Sequence, residues 1–268
     1  MFKTFAEVAK ENWDWRTQSW NLARIDLMKT YRGAALGWFW LFVKPLVYVS
    51  VFYFTLSVGM RQGSPVNGMP YLLWMVCGVV PWFFMSDCIT LASDVYRRYP
   101  FLVNRIRFPL SVISTFYTLS KLIVFVATMG FVLVACVVMR VKLTVHLLQL
   151  PLIFLLMMYF WTMWSICLSP LSAISKDFSK LIKTLGTPFF WLSGVLFKLD
   201  KLPHAARVIM HFNPVSWGCE AVRDCFIDHN WIWEVPGEFY PYLLMCAVMT
   251  VLAMFCYKRL SKEVADVL

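Results

Sequence analysis

Apolar positions in this chain gather into runs of membrane length, separated by short stretches in which Lys and Arg predominate. The runs lie near Ala34–Met60, Met69–Ser93, Pro109–Met139, Leu147–Ile174, Thr184–Phe197 and Phe239–Tyr257. A helix of about 20 apolar residues crosses a hydrocarbon core of about 30 Å. The pattern therefore predicts an all-α polytopic membrane protein with six transmembrane helices. The run Thr184–Phe197 is short for a span, so the helix there tilts, breaks or extends into its neighbours.

Ahead of the first run, Phe2, Phe5, Val8, Ala9 and Trp13, and then Trp20, Ala23, Leu27 and Tyr31, recur at helical spacing with basic residues between them. Such a segment lies in the membrane interface with its apolar face toward the acyl chains. Arg24, Lys29, Tyr31 and Arg32 end it, and Arg32-Gly33 leads straight into the first run. The first thirty residues lack the short apolar core and cleavage site of a signal peptide, so mature sequence is expected from the start.

Composition agrees with a membrane protein: 60% of the 268 residues are hydrophobic and only 15% charged, against about 25% charged in soluble domains. The net charge of +10 is explained by loop placement, since cytoplasmic loops collect Lys and Arg. With the N-terminus inside, sixteen basic residues fall on cytoplasmic segments and seven on external ones. That imbalance puts both termini in the cytoplasm, and no nucleic-acid partner is implied. Six of the eight cysteines sit in apolar runs, where they act as small hydrophobes, and no CxxC occurs.

One membrane domain accounts for residues 1–268: an interface helix (1–33), the six spans (34–257) and a tail (258–268). Two connecting segments carry more than a turn. The stretch 94–108, DVYRRYPFLVNRIRF, is basic with apolar teeth; it reads as a topology-setting turn or as a short helix offered to a cytoplasmic partner. The stretch 198–238 contains a short helix after Pro203 and a second that starts at Asn213-Pro214, an N-cap followed by proline at the first helical position. Together they suggest a re-entrant hairpin between spans five and six, in the outer half of the bilayer.

Candidate chemistry is sparse. No P-loop, GxSxG or HExxH motif appears, and the four histidines are scattered, so neither a catalytic residue nor a metal site is assigned. Glu220, Asp224 and Asp228 share a helix face, which reads as a solvated face. Lys44, Asp87 and Lys121 lie inside spans, where charge is costly and often functional. Asp87 and Lys121 read either as a structural pair or as the lining of a polar passage. The dense aromatics, among them Trp38, Trp40, Trp82, Phe83, Phe190 and Trp191, read as an interfacial belt or as the walls of a passage suited to flat sugar rings.

In order along the chain, Tyr31-Arg32-Gly33, Leu36-Gly37, Trp40 and Pro45-Leu46; Cys77-Gly78 with Pro81-Trp82; Arg107-Phe108-Pro109-Leu110; Lys176-Asp177-Phe178 with Phe190-Trp191-Leu192-Ser193-Gly194; and Phe212-Asn213-Pro214 with Glu220 and Arg223 resemble the membrane subunits of type-2 ABC transporters that export polysaccharides: O-antigen, capsule or teichoic acid. The family often has proline where this chain has Gly194, which leaves the subfamily open.

The resemblance implies a homodimeric subunit of an exporter in the bacterial inner membrane, with a conduit between two copies. It implies two copies of a separate ABC ATPase subunit; ATP and Mg would be bound there, and this chain would bind no cofactor. The cargo would be a lipid-linked polysaccharide. Arg97, Arg98, Tyr99, Pro100, Phe101, Asn104 and Arg105 would couple to the ATPase. Trp38, Trp40, Lys44, Trp82, Phe83, Asp87, Lys121, Phe190 and Trp191 are the conduit candidates. Phe212, Asn213, Pro214, Glu220 and Arg223 would belong to an external gate. The rival readings are an ABC-2 permease for a drug or simple lipid, a membrane-embedded glycan-transfer enzyme and a membrane scaffold.

Overall fold

The apolar runs fold as helices, and no strand occurs among the described residues. A computed structural model describes residues 2–32, 37–59, 68–104, 108–199 and 202–267. Gly33, Leu36, Arg105 and Arg107 lie outside the described residues.

The amphipathic N-terminal segment is two helices rather than one, α1 (Phe2–Asp14) and α2 (Arg16–Tyr31), divided at Trp15. Only part of the expected apolar face is covered: Val8, Ala23 and Leu27 are buried, whereas Phe5, Trp13 and Trp20 are exposed. α2 also turns Ser19 and Asp26 inward.

Among the described residues, five helical stretches are long and apolar enough to cross a membrane: Gly37–Val58, Tyr71–Arg98, Leu110–Val138, Val145–Ile174 and Pro236–Ser261. They contain α3 (Trp40–Tyr53), α4 (Tyr71–Thr90), the one-turn helix α5 (Val95–Arg98), α7 (Leu110–Val138), α8 (Leu150–Ile174) and most of α12 (Pro236–Val267). Another one-turn helix, α6 (Pro100–Val103), follows α5. α3 contains Pro45 and runs on as a wider π-helical turn over Phe54–Gly59.

The fifth run is part of α9 (Lys176–Leu192). Lys176–Lys183, expected as a cytoplasmic loop, is the first half of this helix. Only Ser175 separates α8 from α9, and its hydroxyl caps α9 by accepting from the Phe178 amide at 3.2 Å. The tail after Tyr257 is helical as well, continuing α12 to Val267.

α8 and α12 lie side by side. Tyr242 Oη donates to the Leu156 carbonyl at 3.0 Å, and the Tyr159 and Thr250 hydroxyls meet at 2.6 Å. α4 runs through the centre, with Met75, Cys77, Val79, Met85, Cys88 and Ile89 fully buried. α3 is the opposite case, since Leu41 is its only buried residue. Residues 204–228 fold as α10 (His204–His211), α11 (Pro214–Arg223) and a π-helical turn over Asp224–Asp228.

Candidate functional site

All the predicted conduit residues except Trp38 and Trp191 border a tract of cavities between α2, α3, α4, α7 and α9. The largest, of about 530 Å³, is lined by Tyr31, Trp40, Lys44, Tyr48, Asp87, Arg98 and Lys121 among others. A second, of about 280 Å³, is walled by Tyr48, Phe52, Trp82, Phe83 and Phe190. Phe190 stacks on Phe52 at 5.4 Å and meets Trp82 at 5.3 Å. Phe83 takes Tyr48 edge-on at 5.3 Å, and the Lys44 ammonium stands 5.2 Å from the Phe83 ring centre. Tyr48, Phe52, Trp82, Phe83 and Phe190 thus stand together on one cavity wall. Trp38 stacks on Tyr31 at 5.2 Å, and Trp191, largely exposed, touches Phe190.

Asp87 and Lys121 line the same cavity but form no ion pair. The partner of Lys121 is Asp26, at 3.6 Å, with both side chains about nine-tenths buried. The Asp26 carboxylate also accepts from the Ser120 hydroxyl at 2.5 Å and from the Tyr99 hydroxyl. Three elements thus meet at one buried charge: α2, α7 and the α5–α6 corner. Burial, and then the bond to Asp26, hold the Tyr99 hydroxyl above its ordinary pKa. Sequence reasoning missed Asp26 because it looked for a counter-charge only within spans. The available signal was an acid on the otherwise apolar face of Ala23 and Leu27.

The α5–α6 corner divides by direction. Arg97 turns inward, donating from Nε to Ser172 O (2.5 Å) and from Nη2 to Ala173 O (2.8 Å), so it caps the end of α8. Asp94 accepts from Ser179 (3.0 Å) and Lys183 (2.7 Å), which fastens the corner to α9. Arg98 donates to the Tyr117 hydroxyl at 2.7 Å. Pro100, Phe101 and Asn104 face outward.

Gly194 and Glu220 converge on Arg223, which is fully buried. Its guanidinium donates to Gly194 O (2.8 Å), Val195 O (2.7 Å) and Glu220 Oε1 (2.8 Å), and lies 3.8 Å over the Trp74 ring. Gly78 faces the same group: a Cβ there would stand 2.3 Å from Arg223 Nη2 and 2.6 Å from Val195 O. Gly194 has φ +69°, a left-handed conformation glycine adopts without strain. Asn213 caps α11 by accepting from the Val215 amide (2.9 Å) and donates to the Ser193 hydroxyl (2.8 Å). Pro214 is buried, whereas Phe212 is exposed.

The acidic triplet is not a solvated face. Glu220 pairs with Arg223, and Asp224 is buried, accepting from Asn230 Nδ2 at 3.1 Å. Burial, reinforced by the charges of Asp228 and Glu220, pushes the Asp224 carboxyl up to about 7. Among the described residues no cluster of His, Cys, Asp and Glu could hold a metal ion.

Residues 17–227 match the ABC-2 type transporter family. The chain is 24% identical, over 91% of its length and 92% of the relative, to the O-antigen export system permease protein RfbA of Myxococcus xanthus. It is 22% identical over the same shares to an RfbA O-antigen export system permease protein of Klebsiella pneumoniae. With the family match spanning most of its length and five helices fit to cross a membrane, the chain belongs to the ABC-2 type transporter family, whose members are transport permeases.

Proposed function

We propose that this chain is the membrane subunit of an exporter that moves lipid-linked polysaccharide across the bacterial cytoplasmic membrane. In this reading two copies pair, and two separate ATPase subunits bind and hydrolyse ATP. The observation that carries the reading is the aromatic wall of Tyr48, Phe52, Trp82, Phe83 and Phe190 beside a span whose only buried residue is Leu41. Flat apolar faces contact sugar rings without one fixed hydrogen-bond pattern, which suits a moving polymer. A span left bare within one chain suits a seam closed by a second copy. The full-length likeness to O-antigen permeases supports the same substrate class.

In this arrangement α9 serves as the fifth of six spans, α10 and α11 form a re-entrant external hairpin, and both termini are cytoplasmic. The outward Pro100, Phe101 and Asn104 meet the ATPase. Motion imposed there travels two ways, through Asp94 to α9 and through Tyr99 and Asp26 to α2 and α7. The elements that move are those bordering the aromatic wall. Deleting the gene tests the reading. Finished lipid-linked polymer should accumulate inside the cell and vanish from the surface, and complementation should restore it. Unchanged surface polysaccharide would refute it.

A further inference from the structure

Three cavities adjoin along α3 and change character in order. The 530 Å³ cavity holds Lys44, Asp87, Arg98 and Lys121. A narrow one of about 70 Å³ shares Lys44, Asp87 and Lys121 with it, and shares Pro45, Val80 and Thr128 with a third. The third, about 160 Å³, has walls such as Phe42, Leu46, Leu72, Phe131 and Met139. The Thr128 hydroxyl on that wall is used by the Val124 and Phe125 carbonyls of its own helix. A charged chamber and a hydrocarbon one therefore lie on either side of shared walls, an arrangement that suits an amphipathic ligand.

The charges in the chamber are unequally satisfied. Lys121 has Asp26. Lys44 and Arg98 have no carboxylate within ion-pair distance among the described residues; one faces the Phe83 ring and the other the Tyr117 hydroxyl. Two cations without a carboxylate partner on one cavity wall can each give a bound anion a charge-assisted hydrogen bond. The chamber also carries one carboxylate, Asp87, which forms no ion pair there. A lone carboxylate repels a bare phosphate but accepts hydrogen bonds from hydroxyls. Cations for phosphate, a carboxylate and rings for hydroxylated rings, and a hydrocarbon annex together describe one ligand. The chamber's volume is within the usual ligand-site range of about 300–1,000 Å³.

We propose that this tract, lined by residues of one protomer beside the seam along α3, binds the phosphate–sugar junction of a lipid-linked glycan. Lys44 and Arg98 hold the phosphate, Asp87 and Trp40 contact the first sugar, and the hydrocarbon tail extends toward Phe42 and Met139. The proposal rests on the exporter reading above and adds where and how the cargo is first held.

The test uses the purified full chain in phosphatidylcholine nanodiscs, with native mass spectrometry reading three added lipids: a polyprenyl diphosphate carrying one N-acetylglucosamine, the same lipid without sugar, and phosphatidylglycerol. The wild type retains the sugar-bearing lipid best. Lys44→Gln and Arg98→Gln, both at exposed positions, each weaken retention about tenfold, the scale of one lost charge-assisted hydrogen bond. Arg98→Lys recovers part of it. Asp87→Ala removes the preference for the sugar-bearing form while sugar-free binding stays within about threefold. If the wild type prefers the sugar-bearing lipid and both Gln variants match it, the site is wrong and the exporter reading stands. If the wild type retains phosphatidylglycerol as well as the sugar-bearing lipid, the site and the substrate class both fail.

Discussion

Gly78→Ala inserts one methyl beside the buried Arg223 guanidinium. The new carbon would lie 2.3 Å from Arg223 Nη2 and 2.6 Å from the Val195 carbonyl oxygen. Neither neighbour has room to retreat, because the guanidinium is fully buried and held by the Gly194, Val195 and Glu220 oxygens. Overpacking of this kind costs about 1–3 kcal/mol. Displacing the guanidinium from one charge-assisted bond adds about 1.5–3 kcal/mol. Ala in place of Gly within a helix returns about 0.5–1 kcal/mol. The net loss is about 2–5 kcal/mol, which lowers the thermal midpoint by roughly 4–10 °C for a chain of this length. Heating the detergent-solubilised protein and following the monodisperse fraction by size-exclusion chromatography measures this. Gly130→Ala is the internal control: it also lies within a helix, α7, but nothing stands within 4 Å of its added carbon. Its midpoint should be unchanged or slightly raised. A Gly78→Ala protein that melts with the wild type would refute the packing account of the Arg223 node.

Asp26→Asn strands the buried Lys121 charge and should cost about 3–5 kcal/mol; adding Lys121→Met should recover at least half, read as the thermal midpoint of single and double variants. Asp224 has a folded pKa raised to about 7, so its contribution to stability is full below the unfolded value near 4 and is lost as pH rises to about 7. Asp224→Asn should therefore flatten the pH dependence across that window and stabilise the protein at pH 7.5, measured by thermal midpoints at several pH values. Asn213→Ala removes the α11 cap and should cost about 1 kcal/mol, by the same assay.

Five of the six runs were legible as spans because membrane length and hydropathy act locally, and the cap at Asn213-Pro214 was legible because it uses adjacent residues. The α8–α9 junction was not: Lys176, Lys180 and Lys183 suggested a loop, but a Ser175 cap lets a helix start there and keeps its charged face outside. Gly78, Gly194 and Arg223 were visible as separate motif residues, whereas their meeting around one guanidinium depends on contacts between residues far apart in sequence. The partner of Lys121 was hidden for the same reason. It lies on α2, and hydropathy along the chain does not reveal which side of α2 faces α7.

The exporter account is tested most directly by reconstitution. The permease and its ATPase, placed together in sealed liposomes with lipid-linked polysaccharide in the outer leaflet, should carry polymer to the lumen, protected from an added glycosidase, only when ATP is supplied outside. ATP hydrolysis with no protected polymer, and equal protection without ATP, would each contradict it.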